Sequence, residues 1–228
     1  MKNLCIIPAR GGSKRIPRKN IKDFLGKPII AYSIEVALKS ELFQEVMVST
    51  DDEEIAEVAR KYGAKVPFLR SEKTSTDFAT TLDVIKEVVA SYSKFGLEYD
   101  YSCCIYPTAP LVIIEHLNEG FHRLTEEKRD CVFPVVPFSY PIWRGLRIKD
   151  SLTEMIWKEH EKSRSQDLEQ VYHDAGQWYW FKPSNINDSL WTNNTSSVVL
   201  SETEVQDIDN ETDWKLAEMK YELLQGLR

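Results

Sequence analysis

Apolar and polar positions along the chain alternate between two periods. "LCIIPA" at 4–9 is a short continuous apolar run, "PIIAYSIEVALKS" at 28–40 carries an amphipathic helical pattern, and "EVMVST" at 45–50 is again strand-like. Asp51 and Asp52 stand where they cap the helix in "EEIAEVARKYG", and Gly63 stops it. "AKVPFL" at 64–69 reads as a third strand, 80–92 as a helix, "YSCCIYP" at 101–107 as a strand buried on both faces, 113–127 as a helix and "CVFPVVP" at 131–137 as a strand. The alternation breaks over 138–170, where prolines, two short hairpin signals around "WRGLRI" and "TEMIWK", and the polar run "KEHEKSRSQDLEQ" predict an insertion or dimerisation arm. "GQWYWFK" at 176–182 returns to the sheet, "SSVVLS" adds a late strand, and "DNETDWKLAEMKYELLQG" closes the chain as a capped helix. The expectation is one α/β domain over 1–228 with a doubly wound, mostly parallel sheet. Such a sheet binds ligands at the carboxyl ends of its strands, here the loops 8–23, 50–52, 70–80, 107–112 and 172–176.

Composition narrows the function. Of 228 residues, 29 are Lys or Arg and 36 Asp or Glu, a formal net charge of −7 that argues against nucleic acid or an anionic membrane as partner. No apolar run approaches the roughly 20 residues of a membrane span, and the opening strand is too short for a signal peptide, so a cytoplasmic location is expected. Cys5, Cys103, Cys104 and Cys131 form no C-x-x-C pair and read as buried thiols. His116 and His122, six apart, fall on different faces of a helix and do not suggest a shared metal.

Against this acidic background, "PARGGSKRIPRKN" stands out: positions 10–22 hold six basic side chains and no acidic one. It matches neither G-x-x-x-x-G-K-[ST] nor G-x-G-x-x-G. Consecutive glycines can still turn backbone N–H groups into an anion-binding concavity, with Arg and Lys supplying charge. A solvated basic loop explains the composition equally well, but its place directly after the first strand favours the binding role. Near the end, Asp207 and Asp209 in "VQDIDNETD" are two apart, on one side of an extended segment, where paired carboxylates suit a hard cation; helix capping by Asp209 or Asp213 is the alternative.

"IIPARGGSKRIPRKN" resembles the signature of the CMP-sialic acid synthetase (acylneuraminate cytidylyltransferase) family, with a Rossmann-like nucleotidyltransferase fold. Further matches follow in order: "VSTDDEEIAEVARKYGA", "PFLR", "YPTAPL", "RSQDLE", "YHDAGQWYW" and "VQDIDNETDW". "RSQDLE…YHDAGQ" is most similar to the branch that acts on pseudaminic acid. The resemblance implies that CTP and a nonulosonic acid give a CMP-sugar and pyrophosphate by attack of the anomeric hydroxyl on the α-phosphorus, with Mg²⁺ as cofactor. It also implies a homodimer whose arm reaches the partner's sugar site, and a role in glycosylating flagellin or surface polysaccharide.

Residue by residue, the resemblance puts Arg10, Gly11, Gly12, Ser13 and Lys14 on the triphosphate, with Lys19 and Asn20 completing the cradle. Arg70 and the following "STDFATT" match the loop that recognises cytosine; Thr80 would read the base, or cap the helix beginning there, or both. Pro107 and Thr108 would also meet the nucleotide. Tyr106, Arg144, Arg164, His173, Asp174 and Gln177 would meet the sugar, and Asp207 and Asp209 the metal. Arg10, Lys14 and Asp209 would carry catalysis. Where sialic acid enzymes have Gln before "PT" and Arg after "PL", this chain has Tyr106 and Val112, and His173 replaces an Arg; these departures favour pseudaminic acid. The alternatives are a synthetase for sialic or legionaminic acid, or a non-catalytic nucleotide-binding module.

Overall fold

A computed structural model describes residues 1–226; the last two positions of the expected 1–228 domain lie outside the described residues. In chain order the elements are β1 (Asn3–Pro8), β2 (Asp23–Phe24), β3 (Lys27–Pro28), α1 (Ile29–Lys39), β4 (Glu45–Ser49), α2 (Glu53–Lys61), the single turn α3 (Glu72–Ser75), α4 (Thr81–Lys94), β5 (Tyr101–Ile105), α5 (Ile114–Glu126), β6 (Cys131–Pro137), β7 (Leu146–Lys149), β8 (Leu152–Met155), β9 (Tyr172–Asp174), β10 (Trp178–Phe181), β11 (Thr195–Val199) and α6 (Glu211–Leu224). The central sheet has seven strands in the order β11-β6-β10-β5-β1-β4, with β9 paired to β6. β1 runs parallel to β4 and β5, and β11 parallel to β6, while β10 lies antiparallel between β5 and β6 and β9 antiparallel to β6. Strands β4, β1, β5, β6 and β11 therefore share one direction, giving the mostly parallel α/β sheet that the alternation predicts.

Side-chain alternation along each strand sends its two rows to opposite layers. In β1, Cys5 and Ile7 join the core under α1, α2 and α5, whereas Leu4 and Ile6 join the core under α4, with Val84, Ile85 and Val88. All four cysteines are free and buried. A third cluster holds the site together: Ile16 of the basic loop, Phe24, Tyr32, Ile208 and Trp214 pack as one group, with Phe24 meeting Tyr32 and Trp214 edge-on at 5.3 and 5.5 Å. Among the described residues no helix is long and apolar enough to cross a membrane.

Two expectations change. "AKVPFL" is not a strand: one parallel bridge, Met47 to Lys65, is all that forms, and the chain then turns away to place Arg70 under the end of β4. Within 138–170 the two hairpin signals prove to be the two strands of a single hairpin, β7 pairing antiparallel with β8 as a separate two-stranded sheet.

Candidate active site

β1 is followed by β4 on one side and later by β5 on the other, so the crevice at their carboxyl ends is the switch point where such sheets bind ligands. A cleft of about 500 Å³ opens there, lined by Pro8, by Arg10, Ser13, Lys14, Arg15, Lys19 and Asn20 of the basic loop, by Asp77, by Tyr106, Pro107 and Thr108, and by Asp207 and Asp209. Four segments far apart in sequence thus meet in one cavity.

The loop's shape follows from local constraints. Ile16 is fully buried, and Asn20 ties the loop to itself by donating from Nδ2 to the Arg10 carbonyl at 2.9 Å. Gly11 donates its N–H to Asp51 Oδ1 at 2.9 Å, and a Cβ there would lie 2.6 Å from Asp52 Oδ2, so close approach is what requires glycine at this position. Gly12 faces open space. Neither glycine is among the cleft's lining residues.

All six basic side chains of the loop have partners. Arg10 and Lys14 both pair with Asp77, Arg15 with Asp209 at 2.6 Å, Arg18 with Asp52 and Glu54, each at 2.5 Å, and Lys22 with Glu211 at 2.7 Å. Lys19 donates to the Ile208 carbonyl at 2.7 Å. The pairs made by Arg10, Lys14 and Arg15 are solvent-exposed, and such pairs add little to stability, so these cations are free to exchange Asp77 and Asp209 for another anion. Asp77 and Arg15 were absent from the expected site. Asp77 lies inside "STDFATT", but nothing in its spacing announces that it faces the basic loop.

The two aspartates are freed by another residue. Asn210 caps α6, accepting from Thr212 and Asp213 N–H groups at 2.8 and 3.1 Å, and Asp213 closes the capping box. Ile208 turns into the third core cluster, so its neighbours face away from it, and both Asp207 and Asp209 line the cleft. Burial, and then the nearby Asp209, push the Asp207 carboxyl above its usual range. Burial likewise holds the Lys19 ammonium low, against the pull of Asp209 and Asp207. Among the described residues no group of three or more His, Cys, Asp or Glu side chains is arranged to hold a metal; the cleft supplies this pair.

A second cleft of about 320 Å³ adjoins the first and shares Asp207 with it; His173, Asp174, Glu202 and Lys220 are also in its wall. Asp174 accepts from Gly176 N–H at 2.8 Å and from the Tyr179 hydroxyl at 2.6 Å, and His173 Nδ1 donates to the Asp174 carbonyl at 2.9 Å. Tyr106, expected with the sugar, lines the first cleft instead, its hydroxyl 3.1 Å from Thr81 Oγ1.

The remaining expected residues stand outside both cavities. Arg70 is buried, donating to Ser49 O at 2.6 Å and Thr74 O at 3.4 Å, and thereby pins the loop that carries Asp77. Thr80 caps α4 in a capping box with Asp83. Gln177 is buried and donates to the Glu204 carbonyl at 2.7 Å, which fixes the segment leading to Asp207. Arg144 and Arg164 lie in the arm, Arg164 paired with Asp167 at 2.8 Å.

Comparison with known proteins places the chain in a family. Residues 4–217 match the family model described as cytidylyltransferase. The chain is 45% identical over 226 residues to a pseudaminic acid cytidylyltransferase of Campylobacter jejuni, covering 98% of this chain and 97% of that protein. It is 35% identical to a CMP-N,N'-diacetyllegionaminic acid synthase of Legionella pneumophila, covering 99% and 98%. A structure of CMP:2-keto-3-deoxy-manno-octonic acid synthetase complexed with CTP superposes with a TM-score of 0.72 at 17% identity, over 99% of this chain and 100% of that one, a likeness of fold. The chain therefore belongs to the cytidylyltransferase family and is a nucleotidyltransferase.

Proposed function

We propose that this enzyme joins CTP to pseudaminic acid, giving CMP-pseudaminic acid and pyrophosphate. The observation that carries the reading is the shared wall: Asp207 borders both the cleft lined by the basic loop and the second cleft with His173 and Asp174. A triphosphate in the first cavity and an acid sugar in the second would meet at that carboxylate. The 45% identity to a protein named for pseudaminic acid supports the choice of sugar.

In this reading the triphosphate exchanges places with Asp77 on Arg10 and Lys14, with Ser13, Lys19 and Asn20 along its flank. Thr108 and Pro107 border the nucleotide, and Arg70 acts indirectly by holding the loop between Ser71 and Thr80. The anomeric oxygen forms a bond to the α-phosphorus, the bond from that phosphorus to the bridging oxygen breaks, and pyrophosphate leaves. Catalysis is positioning and charge compensation, since two anions must be brought together. Asp207 and Asp209 fit Mg²⁺: they are a like-charged pair facing the cleft, and this ion commonly takes one or two carboxylates and fills its other positions with phosphate oxygens and water. Bound there, Mg²⁺ would neutralise charge on the phosphates. Arg15 competes for Asp209 and would be released to the triphosphate.

Arg144 and Arg164 take part from the arm of a second copy in a homodimer. Support comes from apolar side chains that the hairpin leaves exposed, Leu146 and Ile148 on one face and Leu152 on the other, at 60%, 76% and 73% exposure. We assign the reaction to the cytoplasm, which suits a chain whose cysteines are free and buried.

The test is pyrophosphate release from CTP and Mg²⁺ with pseudaminic, N-acetylneuraminic and legionaminic acids, using ATP, GTP and UTP as controls. Turnover confined to CTP and pseudaminic acid is expected. Preference for another nonulosonic acid would keep the mechanism and replace the substrate.

A further inference from the structure

An acid sugar brings its charge to one definite place. In a nonulosonic acid the anomeric carbon bears both the attacking hydroxyl and the carboxylate, so the group that receives the carboxylate must stand beside the passage between the clefts. Asp207 marks that passage. The arginines expected for this task, Arg144 and Arg164, are in neither wall.

Among the described residues Lys220, on α6, is the one Lys or Arg in the wall of the second cleft. Its ammonium donates to the carbonyls of Val205 at 2.6 Å and Glu202 at 2.9 Å, two and five positions before Asp207. An ammonium has three donors, and these two bonds go to neutral acceptors. No carboxylate of the described residues makes an ion pair with it, although Glu202 lies near enough to favour its charge. Glu202 itself accepts from Ser139 Oγ at 2.8 Å. Asp174, the neighbouring acid, is already engaged by Gly176 and Tyr179.

We propose that the Lys220 ammonium receives the carboxylate of the acid sugar in the second cleft, an assignment that rests on the acid-sugar reading above. Burial holds this ammonium below its usual range, as expected for a cation kept from water without a counter-ion. α6 is anchored through Trp214 in the third cluster, so the charge sits on a fixed support.

The experiment pairs the sugar acid with its carboxamide and compares wild type with Lys220→Met, Lys220→Gln and Lys220→Arg, reading pyrophosphate release with the sugar and CTP each varied in turn at saturation of the other. Wild type should prefer the acid by about 10- to 100-fold in kcat/KM, the scale of a hydrogen bond to a charged group. Lys220→Met should lose most of that preference through the sugar KM, with the CTP KM little changed, and Lys220→Arg should recover part of it. Lys220→Gln keeps a donor for the carbonyls without the charge, so it covers the case in which Met fails to fold. Equal losses with acid and amide in the Gln or Met variant would reduce Lys220 to a prop for the 202–205 segment and overturn the assignment. A wild-type enzyme that turns over none of the three nonulosonic acids would instead overturn the substrate reading, and the assignment with it.

Discussion

The cleft and the arm both carry arginines and large apolar side chains, yet the chain treats them in opposite ways. In the cleft, Arg10, Lys14 and Arg15 are met by Asp77 and Asp209, residues remote in sequence, and the loop is nailed down by Ile16, which is fully buried with Ile208. In the arm, Arg164 pairs with Asp167, three positions away, and Leu146, Ile148 and Leu152 of the hairpin stay exposed. Long-range compensation gathers the charges of the cleft from distant segments of one chain. Local pairing on an exposed hairpin leaves a surface that, in the proposed reading, a second copy would use.

The comparison breaks most sharply at the cleft. Arg10→Ala and Asp209→Ala should each lower turnover on the order of 10²-fold or more, the scale of removing a charge contact from a transition state. Both pairs are exposed, so thermal unfolding should move little. Steady-state pyrophosphate release decides this, and near-normal turnover in either variant would remove that residue from the proposed machinery.

At the arm the effect should be smaller and of another kind. Arg164→Ala should raise the sugar KM about tenfold while leaving the CTP KM nearly unchanged, because in the proposed reading only sugar binding draws on the arm. The opposite split would move Arg164 to the nucleotide.

The smallest effect tests the floor of the basic loop. Arg18 holds the Asp52 carboxyl below its ordinary value of 3.8. A depressed folded-state value means that the added stability is complete above about pH 4 and is lost as the pH falls through that lower value. Asp52→Asn keeps an oxygen for capping α2 but loses the charge, so it should cost about 0.5–1 kcal/mol at pH 7. Urea denaturation at pH 7 and pH 3 should find that deficit shrinking in acid; an unchanged deficit would mean that the Arg18 pair adds nothing.

Much of this molecule was legible in its residues because periodicity is a local property. Continuous apolar runs at 4–9, 101–107 and 131–137 read as strands, and the helices announced themselves through Asp52, Thr80 and Gly63. The basic loop and the paired aspartates were visible for the same reason, as unusual local chemistry at the ends of elements. What "AKVPFL" would do was not visible, since a strand needs a partner edge along its length and the chain offers it one bridge.

The tertiary structure alone decided which charges face one another. Asp77 and Lys220 carry no local signature, and they matter because folding brings them to walls built from other segments. Whether Asp209 capped a helix or faced the cleft was equally open until Asn210 took the cap and Ile208 took the core. Local rules select elements and their ends; distances between side chains far apart in sequence depend on how the packed elements meet, which no local pattern encodes.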